Sequence, residues 1–218
     1  MFTERQISAM LGQIARQDVV EIGPEPTLTR VAALAHVAER YGYAYDRAHR
    51  TGHNKQLVLV RMYRDPHPEA RAREAATIAA HPQAGNGGTV PGMRPGTAKP
   101  LPEAQEAVAR LKDRIMLDVL AQAADKRQQT IAYGSCAVLA LVLLLAGMPI
   151  GGLVGGLVGG AALAAFLWGA FRLGAVRRQR IVRRLIDAGF VPVRDETGGQ
   201  RFLRPGQQLP GHVNPFTA

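Results

Sequence analysis

One cysteine, Cys136, stands in the whole chain, so an intramolecular disulfide is excluded and the polar segments suit a reducing compartment. The start lacks a secretory leader. Met1 to Gln17 carries Glu4, Arg5 and Arg16 in an amphipathic pattern, where a leader needs an unbroken apolar core. Motif chemistry is missing as well: there is no phosphate-binding loop, nucleophile elbow, zinc-finger spacing or paired catalytic motif. The largest gap is in charge, because the 44 residues from Gln128 to Phe171 carry none.

As a single helix that uncharged run would measure about 66 Å at about 1.5 Å per residue. A bilayer core is about 30 Å thick and takes about 20 residues per crossing, so two crossings use the run almost completely. Pro149-Ile150-Gly151-Gly152 marks the reversal, since proline cannot continue a helix interior and glycine permits a turn. The expectation is a transmembrane hairpin over 130–172, with spans at Ile131–Met148 and Leu153–Phe171. Lys126 and Arg127 precede it and six arginines follow it, which by the positive-inside rule puts both termini in the cytoplasm. An integral protein of a bacterial inner membrane is therefore expected.

Within the second span the tetrad Leu-Val-Gly-Gly recurs, placing Gly151, Gly155 and Gly159 on one helix face and Gly152, Gly156 and Gly160 on the next. Bare glycine faces allow close helix packing, as in a glycine zipper, so these six are the candidate helix-packing residues. The packing partner is either the first span or another copy of the chain.

What the chain does contain is positive charge, +10 overall from 27 Lys and Arg against 17 Asp and Glu. Nine basic and three acidic residues fall in 172–218, so the excess peaks just after the uncharged run. Arg172, Arg177, Arg178, Arg180, Arg183 and Arg184 form the strongest polar signal and are the candidate contacts to anionic lipid or to a partner. The same charges could neutralise phosphates, which keeps nucleic acid as an alternative partner.

The polar segments read as a small α+β cytoplasmic module over 1–80, a linker over 81–102, an amphipathic stalk helix over 103–129, a basic helix plus β-hairpin over 173–204, and a tail over 205–218. Inside the first module helices are expected near 4–17 and 28–41, strands at Tyr43–Arg47 and Gln56–Tyr63, and a helix at Glu69–Ala80. The linker assignment rests on five Gly and five Pro without apolar periodicity. On the stalk, Val108, Leu111, Ile115, Val119 and Ala123 share one side. His49 and His53, with His36 and His67, would ligate a metal only if they converged, and Thr51-Gly52 puts the first two in a turn. No catalytic residue, cofactor or metal is assigned.

Together these features predict a membrane protein with a two-helix transmembrane hairpin. Its expected role is a non-enzymatic, membrane-anchored assembly or scaffold subunit of a secretion, conjugation or bioenergetic complex, with the lipid bilayer and other subunits or further copies as partners. Two alternatives stand beside it: an oligomerising pore-former of holin-like or toxin-like kind, and a membrane-tethered nucleic-acid-binding protein.

Overall fold

The computed structural model describes residues 2–123, 165, 169, 172–194, 200–205 and 207. They belong to two compact units, Met1–Val119 with Leu185–Ala218, and Leu120–Arg184.

The first unit begins α1 (Phe2–Ile14), β1 (Val19–Glu25), α2 (Leu28–Arg40), β2 (Tyr43–Thr51), β3 (Leu57–Arg64), α3 (Pro68–Ala80). β3 is antiparallel to both neighbours and lies between them, in the order β1-β3-β2. β1 and β2 therefore run the same way on opposite sides of β3, which requires a crossover, and α2 supplies it. The sequence explains the local choices. Leu57-Val58-Leu59-Val60 favours a strand, and Val58, Val60 and Met62 point inward at period two. Pro68 begins α3, where its missing N–H is no loss.

α2 is the centre of the core. Every residue from Val31 to Glu39 is buried, and four of them are alanines, so neighbouring elements can approach closely on all sides. Ile7, Met10 and Ile14 of α1 pack on this core at helical spacing, with Val20 and Ile22 of β1. α4 (Pro102–Ala123) adds Val108, Leu111, Ile115 and Val119, the stripe expected from the sequence. A further helix, α5, is described from 172 to 187, and Gly189 at φ +84° terminates it with Gly189 N–H bonded to the Ile186 carbonyl. β4 (Val191–Arg194) and β5 (Gln200–Leu203) then pair as an antiparallel hairpin.

Several expectations need correction. Among the described residues no helix is long and apolar enough to cross a membrane, so the membrane fold class, the transmembrane hairpin and the integral inner-membrane location are replaced by an α+β architecture. The physical reason is charge. α4 is 22 residues long but carries Glu103, Glu106, Arg110, Lys112, Asp113, Arg114 and Asp118, and α5 carries six arginines and Asp187. The segment 130–172 to which the sequence assigns the hairpin lies outside the described residues, apart from 165, 169 and 172. So do Gly151, Gly152, Gly155, Gly156, Gly159 and Gly160, and most of the tail.

Two smaller departures concern the first unit. β1 is a strand that the sequence reading passes over, giving α-β-α-β-β-α where α-α-β-β-α is expected. Residues 81–102 are not a bare linker: Met93 is buried in the core, Val90 packs against it, and Met93 bridges Pro100.

Candidate functional site

Charge in this protein is organised at two places, the polar edge of β2 in the first unit and the arginine face of α5. At β2 the outward backbone edge is capped by side chains. Asp118 on α4 accepts hydrogen bonds at one oxygen from the Ala48 N–H (3.0 Å) and from the Tyr45 hydroxyl (2.6 Å), and Gln207 donates to the Tyr45 carbonyl at 3.4 Å. Burial pushes the Asp118 carboxyl above its ordinary value, against the opposing effect of those two hydrogen bonds. The Tyr45 hydroxyl is pushed well up, first by burial and then by the Asp118 charge.

One turn before Asp118, Arg114 is 4% exposed, with its guanidinium 4.6 Å from the centre of the Tyr45 ring and 5.2 Å from that of Phe190. Two aromatic faces and burial define this site. Desolvation lowers its pKa from the usual arginine range, with the Glu39 charge the leading opposing effect.

Nearby, Asp46 is held by Arg201 at 2.8 Å, Arg47 at 3.3 Å and Arg61 at 3.6 Å. Glu39, also buried, receives Arg204 at 3.1 Å. These two pairs tie the β4–β5 hairpin and the residue after it to α2 and β2 within the first unit.

Between the start of β2, the start of α3 and Arg204–Gln207 lies a groove of about 330 Å³, within the size range of small-ligand sites. Its lining carries both signs of charge: Glu39, Asp65 and Glu69 against Arg73 and Arg204. Arg73 Nε donates to the Glu39 backbone carbonyl at 3.0 Å, which fixes the plane of its guanidinium. Asp65 accepts from the His67 N–H at 3.1 Å.

On α5, Ile181 and Leu185 are buried, while Arg172, Arg177, Arg180, Arg183 and Arg184 are exposed and Arg178 is half-buried. At about 100° per residue, Arg177, Arg180, Arg183 and Arg184 fall within an arc of about 120°. Leu173 (72% exposed) and Val176 (38%) fall in the same arc. Among the described residues Arg177, Arg180 and Arg183 form no ion pair.

The four histidines considered from sequence are dispersed. His36 is buried in α2, His49 lies in β2, His53 in the turn that follows, and His67 just before α3. Among the described residues no group of three or more His, Cys, Asp or Glu is arranged to hold a metal ion.

The sequence reading did not single out Tyr45, Asp46, Glu39, Arg114, Asp118, Arg201 or Arg204. One signal for them exists: Arg114 and Asp118 border the apolar stripe Leu111–Ile115–Val119, where a charge needs a buried partner. Compared with models of known protein families, with curated proteins and with solved structures, the chain matches none.

Proposed function

We propose that the chain is a non-enzymatic assembly subunit that docks an acidic segment of a partner protein along the exposed face of α5. The observation that supports this reading is the arginine arc itself. Arg177, Arg180 and Arg183 stand exposed without an ion pair among the described residues, and Leu173 and Val176 stand exposed between them. An amphipathic acidic helix offers carboxylates to the first set and apolar side chains to the second, which is the pattern of an interface with a desolvated centre and a charged rim.

Nucleic acid is the second reading, favoured by the net charge of +10. A phosphodiester backbone would satisfy the arginines and leave Leu173 and Val176 uncovered, so it ranks below the protein partner.

The test titrates the full chain with two fluorescent probes, a 16-residue helical peptide of glutamate and leucine and a 20-base-pair DNA duplex, at several salt concentrations. The peptide should bind more tightly, weaken as salt rises, and lose at least about tenfold in affinity against a variant carrying R177Q, R180Q and R183Q. Tighter binding of the duplex, with a salt slope that flattens by about three in the variant, would move the function to nucleic acid. An unchanged peptide affinity in the variant would refute the docking face.

A further inference from the structure

We propose that the groove between β2, α3 and Arg204–Gln207 is a binding site for a short zwitterionic peptide of dipeptide size. This rests on a different part of the molecule from the arginine face of α5 and stands independently of it.

Glu69 and Arg73 sit one helical turn apart on α3, a spacing at which opposite charges ordinarily pair. Both line the groove, and among the described residues they form no ion pair with each other. The reason is on the page. Arg73 is turned to the Glu39 backbone carbonyl, which holds its Nε and leaves its two terminal nitrogens for another acceptor. Across the groove Arg204 is anchored on buried Glu39, so a second guanidinium lies at the same wall. Glu69 and Asp65 supply carboxylate oxygens at the other end, and Asp65 has one oxygen engaged with the His67 N–H.

A wall with two cations and a wall with two anions select a molecule that carries both charges. The spacing sets its length. Four residues of helix separate Glu69 from Arg73 by about 6 Å along the axis. An extended dipeptide spans at most about 7 Å, so its ammonium meets Glu69 and Asp65 while its carboxylate meets Arg73 and Arg204. A free amino acid has its charges on one carbon and cannot reach both sets. The groove volume of about 330 Å³ leaves room for two side chains, and the buried backbone of Tyr43–Tyr45 forms its floor.

Calorimetric titration of the full chain with Ala-Ala, N-acetyl-Ala-Ala, Ala-Ala-amide and free alanine tests this directly. Ala-Ala should bind saturably, and blocking either end, or removing one residue, should weaken binding at least about tenfold. Arg73→Gln should produce a similar loss by removing the carboxylate contact. Glu69 is exposed, so Glu69→Gln leaves folding unaffected and provides a control independent of Arg73, with an expected several-fold loss for Ala-Ala and none for the N-acetyl form. No saturable heat with Ala-Ala at millimolar concentration would overturn the proposal. So would equal binding of the blocked peptides, or wild-type affinity in both variants.

Discussion

Arg114 shows what a single side chain contributes to this fold. A guanidinium that is 4% exposed between the rings of Tyr45 and Phe190 gains from flat stacking what it loses in hydration. Truncation to alanine removes the stack and leaves a void, so Arg114→Ala should cost about 3 kcal/mol in urea unfolding. Arg114→Met keeps most of the volume and removes the buried charge, and its cost should be much smaller. Equal costs would mean that charge, and not packing, is what Arg114 provides.

His36 gives a pH dependence with a definite sign. Burial lowers its pKa below 6.5, assisted by Arg40, Arg204 and Arg110 and opposed by Glu39. A base whose folded pKa is depressed binds its proton more readily when unfolded, so its stability contribution is complete above the ordinary value and is lost as pH falls below 6.5 toward the folded pKa. Relative to His36→Gln, the wild-type chain should therefore lose stability between pH 7.5 and 5.5. A difference between the two that stays constant over that window would show that His36 is not buried in its neutral form.

At the scale of elements, two glycines should respond oppositely to alanine. Gly23, at φ +121° in β1, would place a Cβ 2.6 Å from the Val58 carbonyl oxygen and 3.2 Å from the Glu25 nitrogen. Both backbone conformation and space oppose it, and Gly23→Ala should cost about 2–3 kcal/mol. Gly12 lies in the interior of α1 with nothing within 4 Å of an added Cβ, so Gly12→Ala should stabilise by about 0.5–1 kcal/mol. Thermal unfolding of the pair checks both signs.

The same elements show how far the sequence could be read. α2 and α3 were legible because a periodic or alanine-rich run is bounded by Gly42 or begins at Pro68, and β3 because valine and leucine alternate into a continuous strand. β1 was not, since Gly23 and Pro24 interrupt the alternation of Val20 and Ile22 that its burial reveals. An edge strand tolerates a proline that a central strand would not. In 81–102 the glycine and proline content hides the two residues, Val90 and Met93, that pack on the core. The exposed arginines of α5 were legible as a charge cluster. The β2 edge and the groove were not, because Asp118, Arg201 and Arg204 reach their partners across 73 to 165 residues of chain.

For the whole molecule, the consequence is that the C-terminal hairpin belongs to the same compact unit as the N-terminal sheet. Buried carboxylates hold it there: Asp46 at 2.8 Å from Arg201 and Glu39 at 3.1 Å from Arg204. This unit positions the groove, and its discontinuity in sequence means that residues on both sides of 120–184 must be present for it to fold. Removing one partner of such a pair leaves the other charge buried and unmatched, which costs more than removing both.

A double-mutant cycle on Asp46→Asn and Arg201→Gln, read by urea unfolding of the full chain, measures this most directly. With the carboxylate 3% exposed and the guanidinium 16% exposed at 2.8 Å, the two substitutions should be non-additive, with a coupling of about 1–3 kcal/mol. Strict additivity would contradict a hairpin seated on the β2 edge, and with it the single folded unit that builds the groove.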